Sequence, residues 1–194
     1  MSLTMERCKW CNLKNPLYIK YHDEEWGRPN FEEKYLYEML ILESFQAGLS
    51  WECVLNKRED FRKAYDNFDI DKVCRYDNKK IQELLSNEKL IRNKLKINAS
   101  INNSKIFKEI QNEYGTFYEY LKGFTNDKII YENDKTTSEL SVNISEDLRK
   151  RGMKFVGSTI IYSYLQAIGI IYSHDEECFM NKKVSLRSSI KCKF

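Results

Sequence analysis

The sequence predicts an all-α fold. Apolar residues recur at helical spacing in segment after segment, and no alternating stretch is long enough to seed a sheet. Only 7 Gly and 2 Pro occur in 194 residues, too few for the many tight turns of an all-β architecture. Apolar residues at 42% and aromatics at 13% supply a core and exclude a disordered chain. The organisation read from the sequence is a single domain over residues 1–182, with a division into two helical lobes as the alternative. A basic tail at 183–194 lacks periodicity and is expected to fray.

The first helix expected runs from Glu32 to Ala47, with Leu36, Met39, Leu40 and Ala47 at helical spacing and Gly48 as its stop. Ser50 caps the next, whose apolar positions are Val54, Leu55, Phe61 and Tyr65. Asn78 caps a third over Ile81, Leu84 and Leu85. A longer helix from about Arg92 to Glu113 places Leu95, Ala99, Ile106 and Ile110 on one side and ends at Gly115. Ser145 opens another that stops at Gly152, and the last long helix runs from near Gly157 to Gly169. Lys128–Tyr131 is compatible with either helix or strand, and the polar stretch Thr125–Ser145 reads as a mobile connection.

Charge narrows the partners. Basic and acidic counts of 32 and 29 leave a net +3, so any anion-binding surface must come from local placement. The most apolar run, Ile160–Tyr172, is interrupted by Ser163, Gln166 and Gly169 and is too short to span a bilayer. The first ten residues are charged and lack a signal core, and Met5 offers a second start that would leave residues 1–4 outside the native chain. The expected setting is therefore cytoplasmic, with no membrane partner. The cysteines at 8, 11, 53, 74, 178 and 192 read as reduced thiols or metal ligands.

Three constellations carry chemistry. The chain's 2 histidines each lie near a cysteine, at opposite ends: Cys8 and His22 near the start, His174 and Cys178 near the finish. Two Cys and two His suit tetrahedral zinc, and the i, i+4 spacing of the second pair would place both on one side of a helical turn. Cys8-x2-Cys11 makes Cys11 a competing ligand, so one of the two cysteines would be a spectator. A four-ligand site leaves no open position and is structural, which argues against a zinc hydrolase. The alternative is that each of these residues is an ordinary buried side chain.

The second constellation is Arg151–Gly169, which follows a basic helix end and opens a helix at Gly157-Ser158-Thr159. Gly152 and Gly157 let backbone approach a partner closely, the helix start offers free N–H groups to an anion, and Lys150, Arg151 and Lys154 add charge. The third is a crowd of aromatics, Trp10, Tyr18, Tyr21, Trp26 and Trp51, with Glu43 interrupting the apolar face of LILESFQAGLSW. A carboxylate among flat rings suits a flat cationic ligand with a donor amine. Taken singly, each of these two features is better explained by the ordinary reading, a glycine-capped corner and a solvated glutamate.

Taken together, the blocks ERCKWCNLKNPLYIKYHDEEWG, LESFQAGLSW, KRGMKFVGSTIIYSYLQAIG and His174-x3-Cys178 resemble the DNA-3-methyladenine glycosylase I family, from Glu6 to Cys178. The resemblance implies a helix-hairpin-helix DNA glycosylase fold with a zinc clasp joining the N- and C-terminal segments. It implies removal of 3-methyladenine from double-stranded alkylated DNA, by a monomer with no lyase step and with the free base as product. By position, one structural zinc per chain falls to Cys8, His22, His174 and Cys178, leaving Cys11 over. Glu43 falls on the carboxylate that meets the adenine edge and is the catalytic candidate. Trp51 falls on the stacking residue, and Trp10, Tyr18 and Tyr21 on the remaining walls. Gln46, Gly48 and Leu49 fall on a loop that contacts the opened duplex, and Gly152, Lys154, Gly157, Ser158 and Thr159 on the phosphate-binding hairpin. Thr159 stands where lyase-type relatives carry a lysine. The sequence departs from the family pattern in placing its acid after His174, at Asp175, and in lacking a cysteine-rich tail. The reading from a different class is a metal-stapled DNA-binding module without chemistry, which leaves Glu43 among aromatics unexplained.

Overall fold

The computed structural model describes residues 5–181; the basic tail at 183–194 and residues 1–4 lie outside them. At the centre is α2 (Glu33–Gln46), in which every residue from Leu36 to Phe45 is buried. A helix apolar on one face only would expose the other; this one is surrounded, and packs against α3 (Trp51–Leu55), α7 (Lys94–Tyr114), α8 (Phe117–Thr125) and α10 (Ser158–Ala167). Encirclement of this stretch forces two charged residues, Glu38 and Glu43, into the interior. Glu38 is accordingly paired with Arg58 at 2.6 Å and with Arg62 at 2.8 Å, and Arg58 also holds Glu25 at 2.6 Å.

The remaining elements are α1 (Pro16–Glu24), α4 (Arg58–Ala64), a 3-10 turn at Asp66–Phe68, α5 (Ile70–Val73), α6 (Asn78–Ser86), and α9 (Glu139–Lys150). The helix expected from Ser50 through Tyr65 is two helices, α3 and α4, broken at Asn56–Lys57, with the Ser50 hydroxyl accepting from the Cys53 amide as a cap should. Asp77, not Asn78, caps α6 by accepting from the Lys80 amide, and Asn93 caps α7 in the same way.

The expected start at Ser145 is corrected to Glu139. Ser138 caps α9 and Ser141 returns the bond to the Ser138 amide, a capping box that closes with serine in place of the usual Glu or Gln. The polar stretch Thr125–Ser145 is thus helical over its last third, from Glu139 to Ser145. It also contains β1 (Ile130–Tyr131), which pairs in parallel with β2 (Ile171–Tyr172), so the described residues are mostly helical with one two-residue ladder. No helix among them is long and apolar enough to cross a membrane.

Contacts between Gly27–Asn30 and the end of α10 join the N-terminal quarter to the last helix. Gly169 has φ +78, and a Cβ there would lie 2.4 Å from the Arg28 carbonyl carbon and the Pro29 nitrogen, so only glycine lets the end of α10 meet this segment. The Gly27 amide then donates to the Gln166 carbonyl at 3.1 Å, and the Asn30 amide to Ile168 at 3.2 Å. The N-terminal quarter is thereby laid across the α10 terminus that leads into β2 and His174.

Candidate active site

A cavity of about 370 Å³ opens between the N-terminal segment, α2, α3 and α10, near the lower end of the ~300–1,000 Å³ range of ligand pockets. Trp10, Tyr18, Tyr21, Trp26 and Trp51 wall it, and Glu43 projects into it from α2. Each ring is fixed by another: Tyr21 and Trp51 lie 5.3 Å apart by centroid, Trp10 and Tyr18 5.3 Å, and Trp10 and Trp26 4.7 Å. The rings therefore line a vacancy and do not fill it.

Glu43 is 2% exposed, and its Oε2 is buried without a hydrogen-bond partner among the described residues. Burial alone pushes its carboxyl pKa well above the ordinary range. Burial, reinforced by the Glu43 charge, likewise pushes the Tyr21 phenol up. Two more pocket atoms lack partners among the described residues, Gln46 Oε1 and Trp51 Nε1. An isolated buried polar atom costs ~1–3 kcal/mol, so three around one cavity mark a place prepared for a polar guest.

Beneath the aromatic wall, Cys8, His22, His174 and Cys178 are all buried, with one ligand atom from each within 4.8 Å of the others. Cys8 Sγ lies 3.3 Å from His174 Nδ1, and Cys178 Sγ lies 3.4 Å from His22 Nε2. Cys11 is outside the cluster, its thiol facing the Tyr18 carbonyl at 3.8 Å. His174 and Cys178 do not share a helical turn as their spacing suggested: they follow β2 in an irregular turn closed by the Cys178 amide on the Asp175 carbonyl.

Around this cluster, His22 Nδ1 meets Asp23 at 2.8 Å, and Asp23 is held in turn by Arg7 at 2.7 Å. Backbone amides of Asp175 and Met180 donate to the two sulfurs at 3.4 Å each. The Cys8 thiol donates toward Cys178, lowering the Cys178 pKa and raising its own. At His22 burial opposes protonation, but the bonds to Cys178 and Asp23 outweigh it and raise the pKa. Two sulfurs and two ring nitrogens at these separations can hold a metal ion. The cluster also supports the pocket directly, because His22 packs on Trp10 and His174 on Trp26 at 5.3 and 4.7 Å.

At the far end of α10, α9 and α10 are joined by a tight corner. Gly152 has φ +99, and Gly157 ends the corner as the N-cap of α10 with no side-chain cap, leaving the first amides of that helix open. Gly157 has an ordinary φ of −62, and a Cβ there would meet nothing within 4 Å, so nothing in the fold itself demands glycine. Gly157, Thr159 and Lys154 are exposed, with Ser158 half-buried beside them. Arg151 does not face a partner. It is tied to Glu113 and Asp147 at 2.6 and 2.8 Å and lies over the rings of Tyr114 and Tyr120.

Between pocket and corner, the loop after α2 carries Gly48 at φ +75 and Leu49, which is 41% exposed. Sequence reading missed several site residues. Asp134, Lys135, Ser163, Gln166 and Ser173 also line the cavity, brought there by the β1–β2 ladder and α10. Asp175 lines it too, its carboxylate accepting from the Lys9 amide at 2.7 Å. Asn102 and Asn103, polar residues on a long helix, hold the corner's backbone. None carries a local signal, because each is recruited by tertiary contact.

An aromatic cavity around a buried acid, beside a Cys/His cluster that could hold a metal and on a helical frame, defines a site suited to a flat polar ligand. Comparison with known proteins makes this specific: the chain belongs to the methyladenine glycosylase family, whose model matches residues 10–181. It is 39% identical over 180 residues to DNA-3-methyladenine glycosylase 1 of Escherichia coli (strain K12), spanning 90% of this chain and 96% of that protein. A crystal structure of 3-methyladenine DNA glycosylase I superposes with TM-score 0.86 at 36% identity, covering 90% of this chain and 99% of the other. The Staphylococcus aureus enzyme, described for its recognition of 3-methyladenine, matches with TM-score 0.85 at 30% identity over 90% and 96% of the two chains.

Proposed function

We propose that this protein is a monofunctional DNA glycosylase that flips 3-methyladenine out of alkylated duplex DNA and hydrolyses its N-glycosidic bond. The observation that carries this reading is the unpartnered Oε2 of Glu43, buried in a cavity walled by aromatic rings. A base inside a duplex is unreachable, so it must be extruded at a cost of a few kcal/mol, least for a damaged pair. Stacking on Trp51 and Tyr21 offsets ~1–3 kcal/mol of that.

Methylation at N3 makes the base cationic and already a good leaving group, so strong acid catalysis is unnecessary. Glu43 accepts the exocyclic amine and is favoured as a carboxylate beside the positive base. With neutral adenine the same carboxylate would remain desolvated and uncompensated. The C1′–N9 bond breaks with its electron pair going to the base, water adds to the oxocarbenium-like sugar, and its proton passes to solvent. Glu43 selects and positions; selectivity also comes from the weak bond of the lesion.

Gln46, Gly48 and Leu49 meet the opened duplex, while Gly152, Lys154, Gly157, Ser158 and Thr159 grip phosphate as a helix-hairpin-helix. Cys8, His22, His174 and Cys178 would hold one zinc, which would supply a structural staple and no chemistry. Zn–S of ~2.3 Å and Zn–N of ~2.0–2.1 Å at tetrahedral angles put ligand atoms roughly 3.3–3.8 Å apart, and the sulfur–nitrogen separations of 3.3, 3.4 and 3.6 Å fit that. A lyase would need a free amine to attack the sugar. Thr159 occupies the lysine position of lyase-type relatives, and the pocket's Lys135 is engaged with Glu132 at 2.6 Å. The protein works as a monomer in the cytoplasm.

The test is release of free 3-methyladenine from methylated duplex DNA by the native chain, Glu43→Gln and Trp51→Ala, with borohydride added to trap any Schiff base. Release by the native chain, reduced in both variants and without trapped adduct, supports the proposal. No release would leave a DNA-binding module on the same scaffold.

A further inference from the structure

Lys96 is a buried charge that neither the pocket nor the phosphate-binding corner uses. It is 8% exposed, in the first turn of α7, and its ammonium donates to the Phe45 carbonyl at 2.8 Å and the Ala47 carbonyl at 2.6 Å. Those carbonyls end α2, just where the Gly48–Leu49 loop begins, and an ammonium there also meets the negative end of the helix dipole. The same ammonium lies 5.9 Å from the ring centroid of Phe155, a residue held at φ +55 in the corner between α9 and α10.

Two turns further along the same helix, Asn102 donates to the Gly152 carbonyl at 2.9 Å. Asn103, fully buried, donates to the Lys154 carbonyl and accepts from its amide, both at 2.8 Å. One rigid helix therefore holds the exposed Leu49 loop by residue 96 and the corner by residues 102 and 103, points separated by ~10 Å at 1.5 Å per residue.

We infer that Lys96 is a positioning residue that fixes the distance between the Leu49 loop and the phosphate-gripping corner, so that a duplex held at the corner is opened by the loop at the right step. This rests on the glycosylase reading and on the loop entering the opened pair. Such a strut is needed only where a base pair must be opened. A base in single-stranded DNA reaches the pocket without it.

An oligonucleotide methylated as a single strand is divided, and half is annealed to its complement. Release of 3-methyladenine from each half is followed for the native chain and for Lys96→Met, with folding checked by circular dichroism and binding to undamaged duplex by titration. The expected result is a ten-fold or greater loss of kcat on duplex, a change within about three-fold on single strands, and unchanged binding to undamaged duplex.

Leu49→Ala, exposed and harmless to folding, should give the same duplex-selective loss, and the double variant should lose no more than the worse single one. Lys96→Gln keeps a donor for one carbonyl and replaces Lys96→Met if that variant does not fold; it should show the same selectivity to a smaller degree. Equal loss on both substrates, no loss on duplex, or additive effects would overturn the inference. Silence of the native chain on both substrates would overturn the glycosylase reading itself, a result distinct from any of these.

Discussion

The pocket and the corner treat their polar groups in opposite ways. Around the pocket, Glu43 Oε2, Gln46 Oε1 and Trp51 Nε1 are buried with no partner among the described residues. At the corner, the carbonyls of Gly152, Lys154 and Val156 each accept from a side chain of Asn102, Asn103 or Ser145, at 2.7 to 2.9 Å, and the groups left open face outward. A site that must discriminate holds its polar atoms dry and unsatisfied, so that only a guest with matching edges restores what desolvation removed. A site that must grip any phosphate leaves its donors where water can serve them in the guest's absence, and gains affinity without selectivity.

The widest separation of the two regions is expected on removing a metal ligand. His174→Ala should abolish metal retention and base release together, because Trp26 and Trp10 rest on the two histidines. The corner is held from α7 and α9 and should keep its affinity for undamaged duplex. Elemental analysis alongside a binding titration checks this; parallel loss of both activities would show that the regions are one unit.

Next in size is Glu43→Gln. An amide still presents an acceptor but not a charge, and a hydrogen bond to a charged group is worth ~1.5–3 kcal/mol, so base release should fall roughly ten- to hundred-fold with duplex affinity unchanged. A variant as active as the native chain would move the basis of selectivity from charge to shape.

Gly157→Asp probes the corner with effects of opposite sign. A Cβ there meets nothing within 4 Å and the backbone is already that of an N-cap, so the aspartate can cap α10 and should leave stability equal or a few tenths of a kcal/mol higher. Its charge should weaken binding to damaged and undamaged duplex alike, by about ten-fold at low salt, with a shallower salt dependence. A loss confined to damaged DNA would mean that the corner, too, discriminates.

The same contrast decides what could be read from sequence. The ends of α2 and α7 were legible because Gly48 and Gly115 leave local signals, and the glycines of the corner were legible for the same reason. α1 was not, since its buried side chains are Tyr18, Tyr21 and His22 and no aliphatic stripe, while Leu17 is exposed. α8 was passed over, a nine-residue helix with Gly123 inside it. The Cys/His cluster stood out only because the chain has 2 histidines, and the choice of Cys8 over Cys11 needed the resemblance or coordinates. Lys96, Asn102 and Asn103 look in sequence like the solvated face of a long helix. Their contacts form only after α2 and the corner at Gly152–Lys154 have been brought against α7.

The smallest effect expected is thermodynamic and concerns the cost of the pocket's design. Burial raises the Glu43 pKa, so between its ordinary value near 4.5 and its higher folded value the native state holds a proton that the unfolded chain has lost. With more protons bound in the native state, stability falls as pH rises through that window, which is the reverse of a salt-bridged carboxylate. Glu43→Gln removes the titration. Above the window it should therefore be more stable than the native chain by about 1–3 kcal/mol, the cost of an unpartnered buried group, with the advantage fading as pH falls toward 4.5. Denaturant unfolding of both chains between pH 4.5 and 8 measures the difference directly. A variant less stable than the native chain at pH 8 would mean that Glu43 has a partner in solution, and that the pocket is satisfied before its substrate arrives.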